Sequence, residues 1–307
     1  MMHILVSSNT SYLSITLTML HSLSIFGGEK NVKVWFLYRD IDEKKRTRFV
    51  DEVKYYCGFD VVFVEIDMKM FAALNGPIYI KHISVETYFR LVAQFVLPQD
   101  VDRVLWLDSD IIVKGDIRDF YCQNIDDVAL VASSNTQDKD INASLIKRLN
   151  LPKEYTYFNA GVILLNLDYL RLNTSLDYIL DFCTKHTDDI LLQDQDLLNM
   201  LYHSKARVYR DCRYNCIVNG LTEEEKACVD DVVVVHYAGW QKPWKVRWQD
   251  YVSHYYWDVR VLEKMKRSEY FVKFLGKFLS FICFNDIIRY VCAPYYWIKC
   301  RFESKQR

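Results

Sequence analysis

The chain has 307 residues, of which 51% are apolar and 15% aromatic, enough to bury a large core and too many for a disordered segment. Its formal charge of −1 excludes a globally basic nucleic-acid binder, so no nucleic-acid partner is expected. The charge is unevenly spread: from Lys264 onward ten basic residues face three acidic ones, which leaves the tail near +7 and the body near −8.

The first residues, Met2-His3-Ile4-Leu5-Val6, read as a strand and lack a basic n-region and a small-residue cleavage site, so a cytoplasmic chain is expected. Tyr12 to Phe26 carries apolar residues at helical spacing and stops at Gly27-Gly28. Val32 to Tyr38 reads as a second strand, Asp42 to Cys57 as an amphipathic helix ended by Gly58, and Val61 to Ile66 as a third strand. A further helix is expected from Ser84 through Ala93, with Glu86 in its first turn, closed by Leu97-Pro98. This alternation predicts an α/β fold with a mainly parallel sheet flanked by helices, which binds ligands at the carboxyl ends of its strands. Composition turns basic and aromatic near Asp258, which sets the expected domains at 1–258 and 259–307. Nine cysteines without CxxC or zinc spacing fit reduced packing thiols.

The run Val104-Leu105-Trp106-Leu107-Asp108-Ser109-Asp110-Ile111-Ile112-Val113 reads as one buried central strand. Asp108 and Asp110, at i and i+2, then share a face. Two bare carboxylates in a core would cost several kcal/mol each, which a hard divalent cation relieves. The bland alternative is a strand that ends at Leu107 and a solvated turn.

Four other segments concentrate polar groups in apolar surroundings. His82 precedes the third expected helix and Arg90 lies two turns inside it, where a lone arginine is usually a surface group. Asn159 opens the buried run Asn159-Ala160-Gly161-Val162-Ile163-Leu164-Leu165 and alone reads as a turn residue; small Ala160 and Gly161 would let backbone approach a ligand. Asp194-Gln195-Asp196 begins a helix, where acidic residues commonly serve the dipole but equally suit a sugar. The valine strand Val232 to Val235 delivers His236, and a glycine-containing turn then presents Lys242. Imidazole ligates first-row divalent metals and lysine binds phosphate as a point charge. His236 alone would read as structural; with Lys242 and the two aspartates, the metal-diphosphate reading is stronger.

Taken together in this order, these motifs resemble the bacterial family 8 glycosyltransferases of the galactosyl- and glucosyltransferase type that build lipopolysaccharide or related glycans. The resemblance covers Met2 to Asp258. It implies a GT-A fold, Rossmann-like with a mainly parallel mixed sheet, a UDP-hexose donor and Mn²⁺, or Mg²⁺, at the diphosphate. It implies Asp108, Asp110 and His236 as metal ligands, with Lys242 and the Gly239 backbone on the phosphates and Ser109 and Arg90 helping to place the donor. Asn159 and Asp194 would hold the donor hexose, Gln195 would lie on the sugar face opposite the leaving UDP, and His82 would lie near the acceptor, a glycan or lipid-linked saccharide. Family members transfer with retention. Gln195 is a poor nucleophile, so front-face transfer, in which the β-phosphate takes the acceptor proton, is the expected route.

The family's first strand usually ends in Asp followed closely by Asn-Tyr, which reads uracil and ribose. Here Asn9 and Ser11 stand at those positions, followed by Tyr12. The tail interleaves lysines and aromatics, as in Tyr270-Phe271-Val272-Lys273-Phe274, and no stretch reaches the roughly 18 uncharged residues that span a bilayer. It suits an interfacial helix on an anionic membrane, placing the protein on the inner face of the cell membrane; the alternative is a helix packed on the core. Two rivals remain: a non-catalytic nucleotide-sugar-binding or stress protein on the same scaffold, and a DxD phosphatase. The phosphatase wants its Asp on an early strand followed by Gly-Thr, whereas Asp110 precedes Ile111-Ile112.

Overall fold

A computed structural model of the chain describes residues 1–70, 85–136, 138–219, 221, 229–239, 242–245, 252–264 and 266. The chain divides into two units, Met1–Tyr256 and Trp257–Arg307, and every element named below lies in the first. Most of the basic, aromatic tail lies outside the described residues, as do His82 and Ser84. Among the described residues, no helix is long and apolar enough to cross a membrane.

The chain opens with a run of βα units. Strand β1 (Met2–Ser7) leads through a short 3-10 turn into helix α1 (Leu13–Phe26), then β2 (Val32–Tyr38), α2 (Glu43–Cys57) and β3 (Asp60–Glu65). Local chemistry ends these elements where expected. Asp42 caps α2 by accepting from Lys45 N–H at 3.0 Å, and Gly58, at φ +76°, takes the left-handed turn that closes it. The chain then returns past β1 to β4 (Arg103–Leu107), which pairs with β1 on the side away from β2. That reversal opens a crevice at the carboxyl ends of β1 and β4, the place where open α/β sheets bind ligands.

Two segments differ from the expected elements. Residues Val85–Val92 form a 3-10 helix, and only Ala93–Val96 (α3) is α-helical. In an α-helix Glu86 and Arg90 would share a face; at three residues per turn they diverge by about 120°. Glu86 pairs with Arg39 at 3.2 Å while Arg90 reaches Asp108 at 3.0 Å, so the tighter helix serves two partners in different directions. The run 104–113 is likewise two strands: β4 ends at Leu107, and β5 (Ile111–Val113) belongs to a different sheet.

The remaining strands are β6 (Leu130–Ser134), β7 (Phe158–Asn166), β8 (Ala206–Tyr209), β9 (Cys216–Ile217) and β10 (Val234–His236), with helices α4 (Arg118–Tyr121), α5 (Lys139–Arg148), α6 (Leu167–Asn173), α7 (Leu176–Lys185) and α8 (Gln193–Tyr202) between them. The main sheet runs β3-β2-β1-β4-β7-β6-β8 and the small one β5-β10-β9. β7 is antiparallel to both neighbours, which brings its first residues, not its last, to the carboxyl edge of β4. All nine β7 residues are buried, as a central strand covered on both faces requires.

Candidate active site

Asp108, Ser109 and Asp110 form the turn between β4 and β5, and neighbouring strands clamp it at both ends. Asp108 N–H donates to Gly161 O of β7, and Tyr237 N–H, just after β10, donates to Asp110 O, each at 2.9 Å. The turn is not solvated: the Asp108 and Asp110 side chains are 26% and 13% exposed. The expected single strand therefore fails; the alternative has β4 ending at Leu107 and a turn following it, as observed, but that turn is mostly buried and not open to solvent. Leaving the pleat lets both carboxylates converge on one point while backbone pairing continues in a second sheet.

Register places His236 opposite Ile111, next to Asp110. Its Nε2 lies 3.2 Å from Asp110 Oδ1 and 3.8 Å from Asp108 Oδ2, and the three ligand atoms lie within 4.8 Å of one another. Each carboxylate has its other oxygen held by the protein. Asp108 Oδ1 accepts from Trp106 Nε1 at 2.7 Å and Arg90 Nη2 at 3.0 Å, while Asp110 Oδ2 accepts from Lys242 Nζ. Two carboxylate oxygens and a ring nitrogen this close repel one another unless a proton or cation lies between them. Burial alone would raise the Asp110 carboxyl; His236 and Lys242 outweigh it and hold the group well below the usual range. Two oxygens and one imidazole nitrogen, each oriented from behind, fit a divalent cation with open positions for a ligand.

Arg90 is the hub on the other side. The side chain is 3% exposed, its guanidinium stacks 4.2 Å from the Trp106 ring centroid, and it donates to Ala160 O and, through Nε at 2.9 Å, to Thr87 O. Asp194 Oδ2 lies 3.0 Å from the same Nε. That N–H points at Thr87 O, so the oxygen gains charge contact without a hydrogen bond and keeps its acceptor capacity. Burial raises the Asp194 carboxyl to about 6, with Asp108 adding to the effect and Arg90 opposing it.

A chain of amides joins these two halves. Asn159 Nδ2 donates to Gln195 Oε1 at 2.8 Å, and Ala160 N–H donates to the same oxygen at 3.1 Å. Gln195 Nε2 reaches Asn135 Oδ1 and Tyr157 Oη, both at 3.2 Å. Tyr157 Oη in turn donates to Asp196 Oδ1 at 2.6 Å. Asp196 is fully buried and also accepts from Arg148 and from the Leu191 and Leu192 N–H groups, so it fastens the start of α8.

Arg90, Asp108, Asp110, Asn159, Asp194, Gln195, His236 and Lys242, scattered over 153 positions, thus meet at one edge. Ser109 borders them with its hydroxyl 2.8 Å from Thr16 Oγ1 of α1. Asn9 caps the turn after β1, its Oδ1 accepting from Ser11 N–H at 3.0 Å and Ser11 Oγ at 2.6 Å; Tyr12 meets the Trp244 ring edge-on. Gly239, three residues after His236, takes φ +88°, a left-handed backbone that favours glycine. Sequence reasoning passed over Trp106, read as a core apolar residue, and Asn135, Tyr157 and Asn215. Gly161 serves differently from the expectation: a Cβ there would lie 2.2 Å from His236 Cε1, so its smallness admits the imidazole.

A mixed seven-stranded sheet with an acidic turn clamped at its switch point is the architecture of the GT-A glycosyltransferases. The chain belongs to glycosyltransferase family 8, whose model matches residues 3–247. Among relatives, General stress protein A of Bacillus subtilis is 22% identical over 74% of this chain and 82% of its own. A lipopolysaccharide 1,3-galactosyltransferase of Salmonella typhimurium is 29% identical over 70% of this chain and 64% of its own. Among solved structures, galactosyltransferase LgtC in complex with donor and acceptor sugar analogs superposes with a TM-score of 0.71 at 23% identity, covering 84% of this chain and 95% of that one. An active-site mutant of LgtC gives a TM-score of 0.72 at 22% identity over the same shares.

Proposed function

We propose that this glycosyltransferase moves glucose or galactose from a UDP-sugar to a glycan or lipid-linked saccharide, with retention and with Mn²⁺ as its cation. The observation that carries the reading is the shared point faced by Asp108 Oδ2, Asp110 Oδ1 and His236 Nε2. A bound Mn²⁺ there would bind the donor diphosphate and stabilise charge that grows on the leaving group. Lys242 releases Asp110 to the cation and turns its ammonium to the phosphates, while the Gly239 turn offers its backbone. Arg90 holds Asp108 and Asp194 in place. Asn9, Ser11 and Tyr12, beside the carboxyl end of β1, are assigned to the nucleoside.

Asp194, with a buried oxygen that lacks a hydrogen bond, and Asn159 are assigned to the hexose hydroxyls. Gln195 has its carbonyl oxygen engaged by two donors and its amide by Asn135 and Tyr157. Those contacts support front-face transfer, with Gln195 bracing the sugar face and the acceptor proton passing to the donor phosphate. His82 is assigned to the acceptor, and the tail 259–307 to an anionic membrane surface at the cytoplasmic face.

UDP release from UDP-glucose, UDP-galactose, UDP-GlcNAc and GDP-mannose, measured with and without Mn²⁺, tests the donor. Slow Mn²⁺-dependent hydrolysis of one UDP-hexose is expected. Turnover of GDP-mannose alone would overturn the donor assignment.

A further inference from the structure

Asn215, one residue before β9 and 1% exposed, bridges two residues of the site that come from different strands. Its Oδ1 lies 2.8 Å from His236 Nδ1, and its Nδ2 lies 2.8 Å from Asn159 Oδ1. Amide ends look alike, so their identities must follow from groups that can only donate. Gly161 N–H donates to Asn159 Oδ1 at 2.8 Å, which makes that atom the oxygen. A second backbone donor agrees: Ala160 N–H fixes Gln195 Oε1 as an acceptor, so the Asn159 atom facing it must be nitrogen. Asn215 therefore turns its NH₂ to Asn159 and its oxygen to His236. An oxygen only accepts, so His236 Nδ1 carries a hydrogen, and any lone pair that the ring offers a cation beside Asp108 and Asp110 must come from Nε2.

We infer that Asn215 is a positioning residue that fixes the His236 tautomer and couples the cation ligand to the hexose-binding amide Asn159. The inference rests on the proposed cation site. Outer partners of a metal-bound histidine are commonly worth ten- to a hundredfold in metal affinity. Asn215 does more than hold the ring: swapping its two ends would set it against both Asn159 and His236, so the two sites share one hydrogen-bond polarity. A carboxylate at this position would keep the acceptor for Nδ1–H and lose the donor for Asn159. A leucine would lose both.

The full-length chain with ¹⁵N-labelled histidine rings is the sample, with His236→Ala assigning the signal. A slowly exchanging Nδ1–H is expected in the natural protein and in Asn215→Asp, and not in Asn215→Leu. Mn²⁺ binding measured with UDP present should weaken ten- to a hundredfold in Asn215→Leu and hold in Asn215→Asp. Turnover should split the other way, with kcat falling in Asn215→Asp at little change in the apparent Mn²⁺ constant. If Asn215→Leu does not fold, the Asn215→Asp split alone decides. The inference is overturned if the natural protein shows no Nδ1–H signal, or if Asn215→Leu matches it in ring signal and Mn²⁺ affinity. A natural protein that shows the ring signal but binds no Mn²⁺ sinks the cation site and the coupling with it, and leaves the tautomer assignment standing.

Discussion

Burial lifts the Asp194 carboxyl to about 6 against an ordinary 3.8, so the folded chain binds that proton more tightly than the unfolded chain. The contribution to stability is then complete below about pH 4 and is lost as pH rises through 6. At neutral pH an ionised Asp194 costs the fold something, which a purely structural residue would not do. Asp194→Asn should gain on the order of 1 kcal/mol in urea unfolding at pH 8, a gain that shrinks toward pH 4, while transfer activity falls. A difference that does not change with pH would contradict the assignment. Gln195 lies one residue further and contrasts with it, since both ends of its amide are engaged within the protein. Gln195→Ala should retain measurable transfer, and a glycosyl adduct trapped on Gln195 in the natural enzyme would rule out the front-face route.

Two elements carry the site, and each depends on one small or buried residue. On β7, Gly161 stands where a Cβ would lie 2.2 Å from His236 Cε1 and 2.7 Å from Nδ1. Gly161→Ala should displace the imidazole and weaken Mn²⁺ binding by tenfold or more, with the sheet still folded by circular dichroism. At the start of α8, Asp196 accepts from Arg148, Tyr157 and two backbone N–H groups. Asp196→Ala strands all of them and should cost about 3–5 kcal/mol in denaturant unfolding. Strand and helix identities through the first sixty-six residues were legible, because each element carries its own period and cap. The 3-10 segment at Val85–Val92 was not, since Glu86 and Arg90 take their directions from Arg39 and Asp108 across the fold. Nor was the break at Asp108: a continuous apolar run says buried, but not that two sheets share it. Asp108, Asp110, His236 and Lys242 could be picked out as charged or polar interruptions of apolar runs. Asn215 offers no such signal, for its partners lie 21 and 56 residues away.

Across the whole molecule, the reversal at β1 and the antiparallel β7 gather residues from Asn9 to Lys242 at one edge of the main sheet. Most of the basic excess after Lys264 belongs to residues outside those the structure describes. If the tail meets an anionic surface, replacing Lys273, Lys277, Lys299 and Arg301 with glutamine should release the protein from phosphatidylglycerol vesicles, at about 1 kcal/mol per charge, and leave UDP-hexose hydrolysis intact. Unchanged vesicle binding would refute that role. In the proposed function Asp108, Asp110 and His236 hold one cation on which the donor diphosphate binds. That role is tested most directly by titrating Mn²⁺ into the natural protein and into Asp110→Ala, with and without UDP, following free Mn²⁺ by its paramagnetic resonance. One Mn²⁺ per chain is expected, bound more tightly with UDP and lost in Asp110→Ala. UDP binding that is indifferent to Mn²⁺, or Mn²⁺ binding that survives Asp110→Ala, would contradict it.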